Sequence, residues 1–386
     1  MPKVKPGLEV FAEQHLNLVR GKRVGIVTNH SAVTRDLVHI LDYLRVAGVN
    51  ITALYGPEHG IRGDVADGAH VPSGQDKRTG IPVHSLYGPT VQPTPQMLAD
   101  VDVILFDIQD IGCRYYTYLS TMSYVLRACA ENKKQVIILD RPNPINGLAV
   151  EGNILNTNFV SFIGLHPIPI RHGMTIGEMA QLLNGQFGFC ADLEVVVCQG
   201  WKRAMWFDET GLPWVMPSPN MPNIDAALLY PGLCLLEGTS VSEGRGTSKP
   251  FEFIGAPWVD GYALADRLNS IGLPGVRFRP VHFIPTASKH KEQMCSGVQA
   301  HITDRNFVRS IETGLHIIKT LHDMYPKEFH FKPPGTSGKY FFDLLAGTDE
   351  TRTKIEEGIS VEGIMASWYT GLADFQQIRQ KYLLYS

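Results

Sequence analysis

An acidic residue and a histidine stand side by side in the segment of this chain most able to do chemistry. Residues 51–60 read ITALYGPEHG, an apolar stretch that ends in a turn carrying Glu58 and His59. Ligands of open α/β sheets bind beyond the carboxyl ends of the strands. We therefore predict that Glu58 lies at the lip of a cleft, where a carboxyl group can transfer a proton. A solvated acid in an ordinary turn is the alternative interpretation of this segment.

Polar residues follow the other predicted strands of the first half as well. We predict strands over residues 23–29, 51–55, 101–107 and 135–140. Because the carboxyl ends of parallel strands meet at one edge of a sheet, we expect their polar side chains to form a single rim. Besides Glu58 and His59, the candidate binding or catalytic residues there are Asn29, Asp107, Gln109, Asp110 and, in the following Pro/Asn loop, Asn143.

The pattern of apolar residues predicts two domains. Strands and helices alternate through the first half, and the strands are apolar on both faces, which is typical of a parallel sheet covered by helices. Residues 276–279 and 298–302 instead alternate apolar and polar side chains, as half-exposed strands do. We predict an α/β domain over residues 1–255 and a smaller α+β domain over residues 256–386 that closes the cleft.

Helical periodicity marks several connecting segments. A helix over residues 36–47 would place Leu37 on its buried face with three further aliphatic residues, and Gly48 would end it. Amphipathic helices are predicted over residues 306–324 and 361–383.

Composition excludes several classes of protein. The chain has 386 residues, a formal net charge of -3 and 44% hydrophobic residues. It therefore lacks the basic field expected of a nucleic-acid-binding protein, and no apolar run approaches the ~20 residues of a membrane span. Six scattered cysteines without a C-x-x-C pair predict reduced, mostly buried thiols. With no apolar export signal at the N-terminus, we expect a cytoplasmic location, or a periplasmic or secreted one if a signal was removed.

Familiar cofactor and nucleophile motifs are missing from the sequence. There is no P-loop, no G-x-G-x-x-G dinucleotide turn and no G-x-S-x-G elbow, so we predict neither a nucleotide cofactor nor a serine nucleophile. Cys113 has no nameable histidine beside it and is interpreted as a core thiol. The histidines and aspartates at 59, 64, 67, 70 and 84 match no metal motif, and we predict no metal and no other cofactor.

Two segments offer cations and aromatic rings that could bind a ligand. Arg114 follows the strand that ends at Asp107 and is succeeded by tyrosines, of which Tyr116 could form a platform under a sugar or pack in the core. The loop over residues 236–247 holds Glu243 and Arg245 among glycines that allow close backbone approach. An arginine in either segment could fork a carboxylate.

Long and unusual strings in this chain resemble the bacterial exo-β-N-acetylmuramidases of the NamZ type. The strings are YGPEHGIRG at 55–63, FDIQDIGCRYYTY at 106–118, LDRPNP at 139–144, PNMP at 219–222, EGT at 237–239, SEGRGT at 242–247, FDLLAG at 342–347 and KYLLY at 381–385. The resemblance spans nearly the whole chain. It implies a Rossmann-like larger domain, a smaller C-terminal domain and release of N-acetylmuramic acid from the non-reducing end of peptidoglycan fragments in cell-wall turnover or recycling.

The resemblance also implies roles for individual residues. The proposed catalytic glutamate of the family falls on Glu58, as general acid or acid/base, with His59 or Asp107 tuning it. Glu243, Asp107 and Asp110 are candidates for the second catalytic group, and Tyr116 could orient the substrate acetamido group if that group attacks. A cationic fork for the lactyl carboxylate could come from Arg62, Arg114, Arg171 or Arg245, of which we favour Arg114 and Arg245. Asn220, in the PNMP string, is a further candidate for substrate binding.

Two other functions remain open from the sequence. A metal-dependent hydrolase or amidase could use His59, Asp64, His70 and Asp107 on the same rim, and chelator sensitivity would reveal it. A non-catalytic peptidoglycan- or carbohydrate-binding protein would need only an aromatic platform. The expected ligand is a muropeptide or another peptidoglycan-derived saccharide, with no nucleic acid and no membrane span.

Overall fold

The computed structural model describes residues 4–65, 68–69 and 72–386. Its α-helices are α1 (Gly7–Gln14), α2 (Ile40–Val46), α3 (Tyr118–Glu131), α4 (Ile176–Gln186), α5 (Ile224–Leu233), α6 (Gly261–Ile271), α7 (Ser310–Met324), α8 (Phe341–Ala346), α9 (Glu350–Glu356), α10 (Val361–Ala366) and α11 (Tyr369–Gln380). Its strands are β1 (Val24–Thr28), β2 (Ile51–Gly56), β3 (Gly74–Gln75), β4 (Pro82–Ser85), β5 (Val103–Asp107), β6 (Gln135–Leu139), β7 (Leu193–Val196), β8 (Phe253–Ala256), β9 (Val276–Phe283) and β10 (Cys295–Ile302). Short 3₁₀ helices cover Leu16–Val19, Thr157–Phe159, Phe207–Glu209 and Cys234–Gly238.

A large, mostly parallel sheet forms the first half of the protein, as predicted. Among the described residues it has seven strands in the order β3-β4-β2-β1-β5-β6-β7, and only the edge strand β3 runs antiparallel to its neighbour. Counted in chain order, the six parallel strands follow the 3-2-1-4-5-6 order of doubly wound dinucleotide-binding folds. The order reverses beside β1, so a crevice opens where the chains leaving β1, β2 and β5 diverge.

Apolar residues fill both faces of this sheet. Alternate side chains of β1 and β5 enter two separate cores: Ile26 and Leu105 belong to one, and Val27 and Phe106 to the other. Every residue of these two strands is buried. The continuous apolar strands of the sequence therefore reflect a sheet covered on both sides.

A smaller antiparallel sheet lies in the second half, also as predicted. Its described strands follow the order β8-β10-β9, and β9 alternates buried and exposed residues. The predicted domain border at residue 255 falls inside β8. Helix α5, which precedes β8, packs closely on α7, since a Cβ on Gly232 would lie 1.8 Å from the carbonyl oxygen of Ser310.

The last residues of the chain return to the large sheet. The Tyr385 hydroxyl donates a hydrogen bond to the buried carboxylate of Asp140, at the end of β6. The Leu384 amide donates to Glu178 at 2.8 Å, and the carbonyl oxygen of Ser386 accepts from the Arg203 amide at 2.9 Å. Residues from the far end of the sequence thus complete the first domain.

Three predicted helices were wrong in their limits, and the one predicted over residues 306–324 begins instead at Ser310. Helix α2 begins at Ile40 rather than at residue 36, because residues 34–38 form a turn with Leu37 in a left-handed conformation. Leu37 is consequently 59% exposed instead of buried. The helix predicted over residues 361–383 is divided into α10 and α11, and the buried Trp368 lies at the break.

All six cysteines are free thiols, and Cys190 is the exposed one. In the part of the chain that the structure describes, no helix combines the length and apolar character needed to cross a membrane.

Candidate active site

A pocket lies over the carboxyl end of β2 and the start of α3. Its volume is about 380 Å³, and it opens to solvent. The first half contributes the turn after β2 and the entry to α3, whereas residues from Ser218 onward close the other side. The lining residues are Glu58, His59, Tyr115, Tyr116, Thr117, Tyr118, Ser218, Tyr230, Arg245 and Phe251.

Glu58 is the carboxylate of this pocket, and both of its oxygens are held by neutral donors. The Thr117 hydroxyl donates to Oε2 at 2.6 Å, and the amide of Gly68 donates to Oε1 at 3.1 Å. The side chain remains partly exposed. Glu58 is therefore oriented but still reachable by a ligand, as a group that exchanges a proton with substrate must be.

His59 fixes the shape of the turn that carries Glu58. Its backbone is in the left-handed region, at φ +70°, which non-glycine residues adopt only when the surroundings enforce it. The ring is buried, and Nδ1 lies 2.9 Å from the carbonyl oxygen of Val65. The imidazole thus ties the two ends of the turn together beside the pocket.

Aromatic rings form the floor of the pocket. The ring of Tyr116 meets those of Tyr118 and Tyr230 edge-on, at centroid distances of 5.0 and 5.7 Å. Its buried hydroxyl has no hydrogen-bond partner among the described residues. Burial raises the pKa of Tyr116 well above its usual value and Tyr118 adds to the rise, whereas the nearby side chain of Ser218 opposes it. The hydroxyl is therefore a neutral donor that a bound ligand could satisfy.

Arg245 brings a cation to the same pocket. Its Nε and Nη2 donate to Oε1 of Glu237 at 3.1 and 2.8 Å, and its guanidinium lies 5.2 Å from the ring centroid of Phe251. Nε lies 3.6 Å from Oε1 of Glu243, and the side chain is 20% exposed. Glu237 thus fixes the position of the guanidinium, which brings positive charge to the wall of the pocket.

Glu243 lies behind Arg245 and is not among the residues that line the pocket. It is 1% exposed, and its Oε2 is 2.7 Å from Nζ of Lys289. Burial alone would raise the pKa of Glu243, but the charge and hydrogen bond of Lys289, together with Arg245, lower it below its usual value. Glu243 is accordingly an ionised, paired carboxylate.

The two aspartates at the carboxyl end of β5 are both buried and differ in their partners. Asp107 forms a two-pronged ion pair with Arg141. Asp110 accepts from the amide of Gly112 at 2.6 Å through Oδ2, and its Oδ1 has no hydrogen-bond partner among the described residues. Burial raises the pKa of Asp110 to about 7, although backbone amides partly oppose the rise.

Arg114, Arg171 and Asn143 support the fold and do not line the pocket. Arg114 donates to four backbone carbonyls, those of Asn153, Ile168, Leu345 and Ala346, at 2.7–2.9 Å. Its fork is occupied by main chain because the loop around residue 114 is buried under the segment that ends α8.

The other two residues of this group likewise bond within the protein. Arg171 is buried against Glu151 and the carbonyl of Ile145. Asn143 donates to the carbonyl of Met174 at 2.9 Å and accepts from the amide of Ile145 at 3.1 Å. Neither side chain presents its polar atoms to the pocket.

The remaining predicted binding residues lie around the pocket rather than in it. Arg62 pairs with Asp76 at 2.8 Å, and Gln109 donates to the carbonyls of Asp110 and Pro142. Asn29 is fully buried, and its Oδ1 accepts from both the amide and the hydroxyl of Ser31. Asn220 lines a separate open groove with residues 246–248.

No group of three or more His, Cys, Asp or Glu side chains placed to hold a metal occurs among the described residues. His84 packs against the ring of Tyr55 at 5.4 Å, and Asp64 is exposed. Asp67 and His70, which belong to the histidine and aspartate set weighed in the sequence, lie outside the described residues.

Several pocket residues were not anticipated from the sequence. Thr117 stands next to the tyrosines at 115 and 116, but its bond to Glu58 depends on the turn after β2 meeting the start of α3. Tyr230 and Phe251 are apolar core residues by pattern and reach the pocket only through tertiary packing. Lys289, which lies behind the pocket and does not line it, belongs to no sequence motif.

An acid and an arginine that line one aromatic pocket, at the crevice of a doubly wound sheet, are features of a small-ligand enzyme. Family models agree in detail: residues 24–225 match the N-terminal model of exo-β-N-acetylmuramidase NamZ, and residues 228–385 match its C-terminal model. The chain belongs to the exo-β-N-acetylmuramidase NamZ family.

Individual relatives resemble the chain over its full length. It is 49% identical over 385 residues to the peptidoglycan β-N-acetylmuramidase NamZ of Bacillus subtilis (strain 168), covering 100% of this chain and 92% of that protein. A crystal structure of a DUF1343 family protein from Bacteroides fragilis NCTC 9343 superposes with a TM-score of 0.93 at 42% identity, covering 100% of both chains. A second DUF1343 protein of that organism gives 0.79 at 32% identity, covering 100% of this chain and 99% of that one.

Proposed function

We propose that this protein is an exo-acting glycoside hydrolase that releases N-acetylmuramic acid from the non-reducing end of peptidoglycan fragments, in cell-wall turnover or recycling. The observation that carries the proposal is full-length identity of 49% to a peptidoglycan β-N-acetylmuramidase. A pocket that offers a held carboxylate and an arginine supports it. Its substrate is a muropeptide or another muramic acid-terminated saccharide.

Glu58 is the proposed general acid. Hydrolysis requires a proton on the glycosidic oxygen as the bond to the anomeric carbon breaks. Glu58 is partly exposed at the pocket, and Thr117 and Gly68 fix the directions of its two oxygens. A carboxyl group held in this way donates its proton without first reorganising.

The second chemical group is proposed to come from the substrate. Asp107 and Glu243, two of the protein carboxylates considered for this role, are committed to Arg141 and Lys289, and Asp110 is buried. The acetamido oxygen of the sugar can instead attack the anomeric carbon and form an oxazolinium ion as the glycosidic bond breaks, and water then opens this ion. The buried Tyr116 hydroxyl, which needs a partner, is the proposed group that orients the acetamide.

Arg245 is the proposed selector of the muramic acid sugar. N-Acetylmuramic acid differs from N-acetylglucosamine by a lactyl ether with a carboxylate, and a guanidinium binds a carboxylate through two parallel hydrogen bonds. Among the arginines considered from the sequence, Arg245 is the one that lines this pocket, although its Nε and Nη2 also bond Glu237, whereas Arg62, Arg114 and Arg171 do not line it.

The test is hydrolysis of para-nitrophenyl β-N-acetylmuramide beside the matching N-acetylglucosaminide, by wild type and Glu58→Gln, with and without EDTA. We expect release of nitrophenol in strong preference from the muramide, unaffected by EDTA, and a loss of about 10²–10⁴ in kcat for Glu58→Gln. Near-full activity of Glu58→Gln would remove Glu58 from the mechanism. Loss of activity in EDTA would indicate a metal-dependent hydrolase, and binding without release would indicate a carbohydrate-binding protein.

A further inference from the structure

A charged cluster behind the pocket holds the arginine that faces the ligand. The cluster consists of Arg245, Glu237, Glu243 and Lys289, and we call it the Arg245 cluster. Glu237 accepts two hydrogen bonds from Arg245, and Glu243 is 3.6 Å from the same guanidinium. Lys289 lies 2.7 Å from Glu243 on the side away from Arg245. The cluster therefore alternates two cations with two carboxylates.

Charge balance explains what Lys289 contributes. Without it, Glu237 and Glu243 would share Arg245 as their cation, while Glu58 lines the same pocket. An anionic ligand would then meet a negative pocket. By pairing with Glu243, which is 1% exposed, Lys289 neutralises a carboxylate that solvent cannot screen.

Lys289 is held in this position by the loop that joins β9 to β10. Its Nζ also donates to the carbonyls of Leu236 and Thr239, at 2.7 and 3.3 Å. The residues on either side, Ser288 and His290, both have positive φ, at 65° and 56°. Non-glycine residues take that conformation at a cost, and it persists where packing enforces it.

The same loop forms two further hydrogen bonds with the segment that carries Arg245. His290 Nε2 lies 2.8 Å from the carbonyl oxygen of Ser240, and the amide of Thr286 donates to the carbonyl of Gly246 at 2.8 Å. A Cβ on Gly246 would lie 2.4 Å from the amide nitrogen of Ala287. The small sheet thus places Lys289 against the back of the pocket wall and fixes its distance from Arg245.

From this geometry we infer that Lys289 is a positioning residue for substrate selection: by pairing with Glu243 it keeps the charge of Arg245 directed at the carboxylate of an anionic sugar. The inference rests on the proposed function for the identity of that sugar. It assigns to the smaller domain a part in recognition, through a residue that does not line the pocket.

The test compares Lys289→Met with Lys291→Met, a matched change in the same loop at a side chain that is 59% exposed. Calorimetry measures the dissociation constants of free N-acetylmuramic acid and free N-acetylglucosamine for each folded protein, so the readout does not depend on turnover. We expect Lys289→Met to weaken binding of the muramic acid sugar by about tenfold or more. Binding of the neutral sugar should change little, and Lys291→Met should match wild type.

A second substitution separates charge balance from simple support of the fold. Adding Glu243→Gln to Lys289→Met removes the carboxylate that Lys289 neutralises, and should restore much of the preference for the anionic sugar. Lys289→Arg should retain that preference, because it keeps the charge. Equal weakening for both sugars, or no recovery in the double variant, would overturn the inference.

The same measurements keep the inference separate from the proposed function. A wild-type protein that prefers the anionic sugar but hydrolyses no muramide would contradict the proposed hydrolase, and loss of that preference in Lys289→Met would still support the role of Lys289. A wild-type protein that binds both sugars equally would overturn the inference even if it hydrolyses the muramide.

Discussion

The hydroxyl of Thr117 donates a 2.6 Å hydrogen bond to Oε2 of Glu58, and so joins the residue before α3 to the turn after β2. Thr117 occupies the N-cap position of α3, but its side chain does not cap that helix. The hydroxyl is therefore committed to the carboxylate of the pocket, and the helix does not depend on it.

Replacing Thr117 should impair turnover without unfolding the protein. Thr117→Val removes the donor while keeping the shape of the side chain, so Glu58 loses one of the two hydrogen bonds that orient its carboxylate. We expect kcat on the muramide to fall about tenfold, since a hydrogen bond to a charged group contributes about 1.5–3 kcal/mol. Thr117→Ser keeps the donor and should retain most of the rate. A Thr117→Val protein with wild-type kcat would show that the bond does not position Glu58.

Removing the guanidinium of Arg245 should change which sugar the protein prefers. Arg245→Met deletes the fork that the lactyl carboxylate would bind, so KM for the muramide should rise by about 10–100-fold. KM for the glucosaminide should change much less, and Arg245→Lys should recover part of the muramide affinity as a point charge. The measurement is the ratio of kcat/KM for the two substrates. An unchanged ratio would mean that Arg245 does not select the sugar.

The buried carboxyl of Asp110 should make stability depend on pH. Its pKa of about 7 in the folded protein lies above the value of 3.8 expected for an exposed aspartate, so the folded state keeps its proton where the unfolded state loses it. The free energy of unfolding should therefore decrease as pH rises from about 4 to 7, by up to about 1.4 kcal/mol per pH unit.

Asp110→Asn cannot ionise and should lose this dependence. Urea unfolding at pH 5 and pH 8 should show Asp110→Asn gaining stability relative to wild type at the higher pH. The exposed Asp266→Asn serves as the control and should parallel wild type. Parallel changes with pH in wild type and Asp110→Asn would contradict the assignment.

Arg114 should matter for stability rather than for substrate binding. Arg114→Met would leave four buried carbonyls without a donor, and we expect the free energy of unfolding to fall by more than about 3 kcal/mol. Arg277→Met, at an exposed position of β9, is the control. The fraction of Arg114→Met that is folded should have the same KM for the muramide as wild type. A rise in KM for the muramide at unchanged stability would instead return Arg114 to the substrate site.

The architecture of the larger domain was readable from the sequence because burial on both faces of a sheet leaves a simple signature. β1, β5 and β6 are short apolar runs bounded by polar residues, and they were predicted to within two residues of their observed limits. β4 and β7 were not predicted, since each is only four residues long and partly buried. Local pattern also failed at Leu37, where a turn determines the backbone and exposes a leucine.

The site was only partly predictable for a different reason. Glu58 and His59 could be identified from the sequence, because packing does not explain an acid and a histidine that stand between proline and glycine at the end of a strand. The sequence does not indicate which groups an arginine side chain will bond. Arg114 and Arg245 look equally suitable as ligands for a substrate carboxylate, yet Arg114 bonds main-chain carbonyls and Arg245 lines the pocket. That distinction depends on residues more than 100 positions away, such as Leu345.

The return of Tyr385 to Asp140 has a consequence for how the protein is made. The ribosome synthesises the six parallel strands long before residue 385. Until Tyr385 is in place, the buried carboxylate of Asp140 lacks one of its hydrogen-bond donors. Synthesis must therefore pass residue 385 before the first domain is complete. Proteolytic removal of residues 384–386 would therefore break hydrogen bonds to Glu178 and Asp140, two carboxylates buried inside the first domain.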